Sequence, residues 1–402
     1  MIGSSGADFG RLRRELPAIQ AMLREGGQDG WLLFDVYGRN PVSARMLGLE
    51  AMTRRYFVLV PAQGEPVALT HGIEQAPWEQ WPWRKEVYVA WPELDAKLRA
   101  LLAGQRKLAM EYMADDAVPA MDLVPAGVVD LVRKCGCEVV ASGDLVTRFY
   151  AAWSADDLAS HRRASVALAQ VAQAAFVRLA RTLAEGGSVS EGEVREWVIA
   201  DCAAHGVQVG ADCIPAIGPN AANPHYVPVG RGATIKRGDV FLLDLWGKET
   251  ESSVYSDQTW MLFLGEHVPE RVASLFAAIR DGRDAAVAYV RQAWQERRPV
   301  MGFEVDDVCR AVVRERGWAD AFIHRTGHSI DQADHGMGPN IDNLETHETR
   351  LLMPGICFSI EPGIYLPGDV GLRTEIDVYM GPDGPEVTTP DPQDSVLALY
   401  AG

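Results

Sequence analysis

Three features that would point to particular partners or surroundings are missing from this sequence. Basic residues are outnumbered, with 38 Lys and Arg against 55 Asp and Glu, and the formal net charge is −17 at pH 7. This balance argues against nucleic acid or an anionic membrane as a main partner, because both need a basic surface. The six cysteines are scattered without a CxxC pair, which is typical of reduced thiols rather than of a disulfide framework.

Long apolar segments are also missing. The first residues, MIGSSGADFGRLRREL, lack the apolar stretch of a signal peptide. No run of about 18 apolar residues, the length that a membrane-spanning helix needs, occurs anywhere in the sequence. We therefore expect no membrane partner and a cytoplasmic protein.

What is present is a long chain of ordinary globular composition, with 402 residues of which 48% are hydrophobic and 23% charged. Such a chain can form two or three domains with sizeable cores. Residues 1–153 alternate helix-like segments with strand-like ones such as GWLLFD, KLAMEY and CEVVAS, and predict a smaller α/β domain. Residues 154–402 predict a second domain that opens with a long alanine-rich helix. The next helix should begin at Ser188 or Ser190 and stop at Gly206.

The second domain carries a weak internal repeat, in which a long helical stretch and a short helix precede a strand-rich section. Each strand-rich section holds two acidic residues in apolar surroundings, Asp244 and Asp257 in the first and Glu361 and Glu375 in the second. The matching residues are 117 and 118 positions apart. This correspondence predicts an α+β domain with pseudo-twofold symmetry, in which four carboxylates converge where the halves meet.

Four converging carboxylates need a counter-charge, since like charges this close cannot all ionise alone. A single acid in a strand is more commonly a solvated residue or half of one salt bridge, but four at matched positions favour bound cations. Two divalent ions would supply the charge, and a histidine among the ligands would favour Mn²⁺, Zn²⁺ or Co²⁺ over Mg²⁺. The segment HRTGHSIDQADHGMG holds His324, His328 and His335, and His225 lies in the turn-rich GPNAANPHYVP.

Five motifs in this order, NPHYVP, GDVFLLDL…YSDQT, HRTGHSI…H, SIEPGIY and GLRTEID, resemble the M24 metallopeptidases of the pita-bread fold. Within that family the chain resembles bacterial Xaa-Pro dipeptidases (prolidases), and residues 1–153 resemble the creatinase-type N-terminal domain. The motifs cover about residues 155 to 395. The resemblance implies a dinuclear metal centre whose ligands are Asp244, Asp257, His328, Glu361 and Glu375.

The resemblance also assigns roles to residues around these ligands. Asp257 and Glu375 would bridge the two ions, and Glu361 would act as the proton acceptor during catalysis. The residues implied to contact substrate or the tetrahedral intermediate are His225, His335, Tyr365 and His347. His324 and Arg373 would lie behind the ligands and orient them.

The implied activity is hydrolysis of Xaa-Pro dipeptides, with a hydroxide activated by two divalent cations attacking the carbonyl carbon before proline. The implied assembly is a homodimer. Xaa-Pro aminopeptidases, which act on longer peptides, have the same ligands and stay open as an alternative. A creatinase-like amidinohydrolase or a non-catalytic relative would lack part of the ligand set, and a methionine aminopeptidase would lack the first domain.

The sequence departs from the prolidase pattern at three places. The two aspartates of the first hairpin are 13 positions apart, two more than usual, but an even insertion keeps both side chains on one face. Ala211 stands where prolidases commonly have a tyrosine. His347 stands where they commonly have an arginine for the substrate carboxylate, so either another cation reaches the site or recognition of the carboxylate is weaker. The candidates are Arg350, or Arg45, Arg54 and Arg55 from a partner chain.

Overall fold

The structure is a computed structural model that describes residues 9–210 and 212–399. Contacts within the chain divide it into two compact units, residues 1–150 and 151–402. The boundary expected after residue 153 lies close to this division. None of the helices in the described part combines the length and hydropathy that a membrane crossing needs. All six cysteines are free thiols.

The first unit is an α/β domain built on one six-stranded sheet. Its helices are α1 Gly10–Glu25, α2 Pro41–Leu47, α3 Trp91–Leu101, α4 Ala126–Lys134 and α5 Gly143–Val146. Its strands are β1 Gly30–Asp35, β2 Tyr56–Pro61, β3 Val67–His71, β4 Arg84–Tyr88, β5 Lys107–Met110 and β6 Glu138–Ala141. Single 3-10 turns lie at Ala76–Trp78, Ala114–Asp116 and Pro119–Met121, and a π-helical turn at Thr147–Ala151. The strand order is β4-β3-β2-β1-β5-β6.

The sequence pattern identified most of these elements. The predicted strand GWLLFD is β1 without a change of bounds, and β2 and β3 form an antiparallel hairpin. β1 and β5, and β5 and β6, pair in parallel, with α4 between β5 and β6 along the chain. The core of this unit consists of apolar side chains of the sheet and of α3 and α4, including Leu98 and Val132.

The second unit begins with the long predicted helix. Its helices are α6 Ala155–Ala184, α7 Glu191–Ala204, α8 Gly218–Ala221, α9 Glu270–Gln295 and α10 Gly302–Glu315, with a 3-10 turn at Ala319–Ala321. Ser190 caps α7 by accepting a hydrogen bond from the Glu193 N–H, while the Glu193 carboxylate accepts from the Ser190 N–H. Gly206, at φ 75°, follows the end of α7. Of the two predicted caps, Ser190 is the correct one.

The strands of the second unit form small sheets around two hairpins. They are β7 Val189–Ser190, β8 Gln208–Val209, β9 Ile214–Ile217, β10 Thr234–Ile235, β11 Val240–Lys248, β12 Ser256–Phe263, β13 Ser329–Ile330, β14 Cys357–Ile360, β15 Gly363–Leu366, β16 Val370–Arg373, β17 Ile376–Gly381, β18 Gly384–Val387 and β19 Leu397–Ala398. One sheet has the order β19-β12-β11-β8, with β9 also paired to β11. A second has the order β13-β14-β17-β18, and β15 pairs with β16.

The predicted repeat is visible in this order of elements. Helices α6 and α7 precede the hairpin β11–β12, and α9 and α10 precede the hairpin formed by β14–β17. Each short helix also has a glycine in its first turn against a crossing backbone. A β-carbon on Gly192 would lie 2.2 Å from the Gly230 carbonyl oxygen, and one on Gly302 would lie 1.9 Å from the Asn340 carbonyl oxygen. Neither site can therefore hold a larger residue without movement of the backbone.

Candidate metal centre

The first two carboxylates lie on one face of the hairpin β11–β12. Asp244 is paired with Thr259, and Trp246 with Asp257. Paired residues on antiparallel strands point to the same face, and so do residues two apart on one strand. Asp244, Thr259 and Asp257 therefore share a face, as the even insertion of two residues predicts. Both aspartates are buried.

The second pair lies at a break in the other hairpin. Ile360 pairs with Ile376 and Gly363 with Arg373, so one register continues from β14–β17 into β15–β16. Glu361 and Glu375 are the next positions of that register and face each other between the two paired segments. Pro362 has no N–H to donate to the ladder, which accounts for the break. From its sequence, the segment FSIEPGIYLPGDVGLRTEIDV reads as two strands around a Pro/Gly-rich connection, whereas the structure has four short strands.

His328 immediately precedes β13 and is fixed against β14. Its N–H donates to Ser359 Oγ at 3.0 Å, and its carbonyl accepts from the Ser359 N–H at 2.8 Å. Its Nδ1 lies 3.2 Å from the Ser329 carbonyl oxygen, which requires the proton on Nδ1. The unprotonated Nε2 then faces the carboxylates, 3.4 Å from Glu361 Oε1 and 3.7 Å from Asp257 Oδ2.

These groups have the composition and spacing of a metal site. Ligand atoms of Asp257, His328 and Glu375 lie within 4.8 Å of one another. Asp257 Oδ1 is buried and has no hydrogen-bond partner in the described part of the chain. Burial raises the pKa of Asp257 and of Glu375 well above their ordinary values, and neighbouring carboxylates add to both shifts. An unsatisfied carboxylate oxygen beside a neutral imidazole nitrogen fits divalent cations of the Mn²⁺, Zn²⁺ or Co²⁺ type.

Arg373 is the cation built into this cluster. It is 5% exposed, its Nη2 donates to Asp244 Oδ2 and its Nε donates to Thr259 Oγ1 at 2.9 Å. The Thr259 hydroxyl in turn donates to Glu375 Oε2 at 2.6 Å. One guanidinium thus orients Asp244 directly and Glu375 through Thr259, which leaves the charges of the other carboxylates uncompensated.

Asp377 supports the cluster from behind and was not identified from the sequence. Its Oδ2 accepts from the Asp257 N–H at 3.0 Å and from Ser256 Oγ at 2.8 Å. His161 Nε2 lies 3.8 Å from the same oxygen. These bonds fix the start of β12, where Asp257 lies.

A cavity of about 570 Å³ opens onto the cluster. Four of the five expected ligands are also less than one tenth exposed, and the Glu361 side chain is 13% exposed. The lining includes all five ligands together with His225, His324 and His335. The structure therefore brings His225, His324, His328 and His335 to the same cavity as the carboxylates.

Two contacts position the His335 ring, one with the ring of His328 and one with the guanidinium of Arg325. Its ring stacks on that of His328 at a centroid distance of 4.1 Å. Its Nδ1 lies 3.1 Å from Nη2 of Arg325, so Nδ1 accepts and Nε2 carries the proton. Partial burial, together with the charge of Arg325, lowers the pKa of His335. At neutral pH, His335 is therefore a neutral hydrogen-bond donor.

His225 is exposed, and a buried glutamate holds its loop. Glu191 accepts hydrogen bonds from the backbone N–H groups of Ile217 at 2.9 Å and Ala233 at 2.7 Å, and from the Tyr226 hydroxyl at 2.7 Å. Both ends of the loop and the residue beside His225 are thereby tied to one carboxylate.

Two residues expected to contact substrate are not brought to the cavity. The Tyr365 hydroxyl lies 2.8 Å from His324 Nε2 and 3.4 Å from Arg373 Nη1, and the side chain is 2% exposed. His347 is exposed, stacks on Phe303 at 4.6 Å and lies 2.8 Å from Asn343 Oδ1 through its Nδ1. Neither residue lines the cavity, so their positions do not support the expected contacts.

Arg350, offered as a replacement anchor, also has another task. It is 4% exposed, and its guanidinium donates to Glu348 and to the carbonyl oxygens of Met337 at 2.6 Å and Gly338 at 2.8 Å. It therefore holds the loop that follows His335 and has no free face toward a substrate. Ala211 lies outside the described residues, and Arg45, Arg54 and Arg55 stay predictions for a partner chain.

The sequence reading missed three charged residues of the cavity, Arg325, Asp334 and Glu345. Asp334 Oδ1 is buried without a hydrogen-bond partner in the described part of the chain. Burial and the neighbouring Asp244 raise the pKa of Asp334 to about 7. Arg325 directly follows His324, and Asp334 directly precedes His335. This position beside two candidate histidines is the signal in the sequence that could have identified both residues.

Two strand pairs that bring carboxylates and an imidazole onto one cavity define a candidate metal-dependent centre. Residues 161–382 match the model of metallopeptidase family M24. The chain belongs to this family.

Individual relatives agree with this placement. The chain is 29% identical over 269 residues to a probable dipeptidase PepE of Mycobacterium bovis, which covers 67% of the chain and 65% of the relative. It is 33% identical over 178 residues to an Xaa-Pro dipeptidase of Lactobacillus delbrueckii subsp. lactis, which covers 44% of each. These matches thus span less than two thirds of the relatives' length.

Solved structures show the same fold over nearly the whole chain. Dipeptidase PepE from Mycobacterium ulcerans superposes with a TM-score of 0.73 at 24% identity, covering 99% of this chain and 100% of that one. An Xaa-Pro dipeptidase from Bacillus anthracis gives a TM-score of 0.62 at 21% identity, covering 96% and 99%. The predicted resemblance and fold class, a pita-bread domain with an N-terminal α/β domain, are confirmed.

Proposed function

We propose that this protein is an Xaa-Pro dipeptidase that depends on two divalent metal ions. The observation that carries the proposal is the meeting of four carboxylates and the free Nε2 of His328 at one cavity. The names of the relatives, a probable dipeptidase and an Xaa-Pro dipeptidase, support the choice of substrate. A volume of about 570 Å³ lies in the range of small-molecule sites and suits a dipeptide.

The ions would be held by Asp244, Asp257, His328, Glu361 and Glu375. When bound, they would supply a hydroxide nucleophile at neutral pH and polarise the carbonyl oxygen of the substrate. Mn²⁺, Zn²⁺ or Co²⁺ would suit the imidazole nitrogen of His328. Because the proton of the neutral His328 ring is held on Nδ1, Nε2 is unprotonated and can act as a metal ligand.

Glu361 would move the proton during catalysis. Its Oε1 accepts from Ser359 Oγ at 3.0 Å, which fixes the carboxylate at the edge of the cavity. Burial raises the pKa of Glu361 to about 7, with the Asp244 charge adding to the shift and Arg373 opposing it. We infer that Glu361 accepts a proton from the attacking water and delivers it to the departing proline nitrogen.

His335 and His225 would hold the substrate. Since Nδ1 of His335 accepts from Arg325, its Nε2–H is free to donate to the oxygen that becomes negative in the transition state. His225 would make a second contact from the loop tied to Glu191. The bond before proline needs such a dedicated site because its nitrogen carries no N–H.

An Xaa-Pro aminopeptidase is the second candidate. Similarity of fold to an X-Pro aminopeptidase from Thermotoga maritima, with a TM-score of 0.58 at 20% identity, keeps it in view. A creatinase-like amidinohydrolase is disfavoured because the full set of five ligand residues is present. We also propose a homodimer working in the cytosol. The family resemblance supports the homodimer. The scattered cysteines support the cytosolic location, and a fold neighbour from Caenorhabditis elegans is described as a cytosolic enzyme.

The test is cleavage of peptides that differ only around the proline. With Mn²⁺ or Co²⁺ added, we expect Ala-Pro to be cleaved at least about tenfold faster in kcat/KM than Ala-Pro-Ala, a difference of about 1.4 kcal/mol. Ala-Ala should be cleaved more slowly than Ala-Pro, and excess chelator should remove the activity.

Faster cleavage of Ala-Pro-Ala would make the protein an aminopeptidase. Absence of cleavage of either proline peptide under any metal would contradict the proposed function. Peptide integrity without enzyme serves as the blank, and Glu361→Gln protein controls for contaminating peptidases.

A further inference from the structure

Arg325 is a cation at the cavity whose role the chemistry above leaves open. It follows His324 in the sequence, lines the cavity and is partly buried. Its backbone N–H donates to Glu345 Oε1 at 2.9 Å, which fixes the start of the side chain. Its position is therefore built into the fold.

The guanidinium of Arg325 lacks an anionic partner. Its Nη2 lies 3.1 Å from His335 Nδ1, a neutral acceptor. Among the described residues, no aspartate or glutamate oxygen lies within the 4.0 Å of an ion pair. A planar guanidinium has five N–H donors, so most of its hydrogen-bonding capacity remains for a ligand.

The other arginines near the site are occupied. Arg373 lines the cavity as well, but its guanidinium already donates hydrogen bonds to Asp244, Thr259 and Tyr365. Arg350 is bound to Glu348 and to two backbone carbonyls. In the described lining of the cavity, Arg325 is thus the cation left for an incoming anion.

We propose that Arg325 binds a carboxylate of the peptide substrate, and that in a dipeptide this is the C-terminal carboxylate of proline. This inference rests on the proposed function. Arg325 contacts His335, and His335 stacks on the candidate ligand His328. Only the His335 side chain therefore separates the guanidinium from the candidate metal centre. In a dipeptide, three bonds separate the carboxylate from the scissile carbonyl carbon, a span of at most about 4 Å. The anion therefore has to be met close to the reacting bond.

With Arg325 in this role, the site can bind the substrate carboxylate without an arginine at position 347. A guanidinium pairs with a carboxylate through two parallel hydrogen bonds, which a neutral histidine cannot do. The same chemistry could serve an acidic side chain of the residue before proline, and substrates that differ in one carboxylate separate the two sources.

The experiment compares Arg325→Met and Arg325→Lys with the unchanged protein, all loaded with the same metal. We expect Arg325→Met to lower the ratio of kcat/KM for Ala-Pro to that for Ala-Pro-amide about tenfold or more, mainly through KM. Arg325→Lys should restore part of the ratio. The matched control is Arg271→Met, an exposed arginine paired with Asp369, and should leave the ratio unchanged.

Binding of L-proline and prolinamide, measured by calorimetry, gives a readout that does not require turnover. Arg325→Met should weaken L-proline binding more than prolinamide binding. Equal losses on acid and amide, as expected if Arg325 only positions His335, would overturn the proposal, and so would no loss on either. A loss confined to Asp-Pro relative to Asn-Pro would support carboxylate binding but move it to the side chain. If no Xaa-Pro peptide is cleaved, the proposed function fails, while the proline measurement still tests Arg325.

Discussion

Replacement of Glu361 by glutamine is expected to preserve the fold and to lower kcat for Ala-Pro by about 10²–10⁴-fold. The amide has nearly the same shape and can still accept from Ser359 Oγ, as the carboxylate does at 3.0 Å. It cannot take up a proton, and it is a weaker ligand for a divalent ion. The measurement is steady-state hydrolysis of Ala-Pro beside circular dichroism and metal content.

The matched control for this variant is Glu386→Gln, the same substitution at an exposed ion pair with Arg162. Exposed pairs contribute about 0–1 kcal/mol to stability, so this control should behave as the unchanged protein. If Glu361→Gln retained kcat within about tenfold, a loss of about 1.4 kcal/mol or less, Glu361 would not be the proton acceptor.

Arg373→Met is expected to have the second-largest effect, on stability rather than on turnover alone. Removing one partner of a buried ion pair costs about 3–5 kcal/mol because the other charge stays buried. Asp244 would lose the guanidinium with which it pairs. Thr259 Oγ1, which donates to Glu375, would lose the hydrogen bond of 2.9 Å that it accepts from Arg373 Nε. We expect this cost in metal-free protein, measured by urea unfolding in the presence of chelator.

Bound divalent ions should reduce that cost, since they supply positive charge to the same carboxylates. The unfolding free energy of Arg373→Met should therefore recover in part when Mn²⁺ replaces chelator. The exposed Arg271→Met serves as the control in both conditions. A cost below about 1 kcal/mol in chelator would show that Arg373 does not neutralise the cluster.

The sequence predicted those features that follow from local pattern and parity. Sequence pattern predicted the strand GWLLFD with the bounds that β1 has, and it restricted the N-cap of α7 to Ser188 or Ser190, of which Ser190 is the cap. The shared face of Asp244 and Asp257 followed from the even insertion of two residues in their hairpin, and in the structure Asp244 pairs with Thr259, two residues after Asp257. The internal repeat by itself predicted that the four carboxylates converge.

The rest depended on contacts that spacing does not encode. The register of β14–β17 continues across Pro362, so the strands break at Glu361 and Glu375, which a continuous-strand reading could not foresee. His347 stands where prolidases commonly have an arginine, but its ring packs on Phe303 and does not line the cavity. Arg325 and Asp334 reach the cavity from a segment of irregular structure, where side-chain direction is set by tertiary packing. Alternation along a strand gives no such information.

The most direct test of the account is the number of divalent ions bound per chain. Protein stripped with chelator, reloaded with Mn²⁺ or Co²⁺ and freed of excess metal would be measured by elemental analysis, beside Ala-Pro hydrolysis on the same samples. Asp257→Asn, which alters a ligand whose Oδ1 is buried without a partner in the described structure, should bind fewer ions. The account predicts two ions per unchanged chain and activity that follows their content. Fewer than about one ion per chain with full activity in chelator would contradict it.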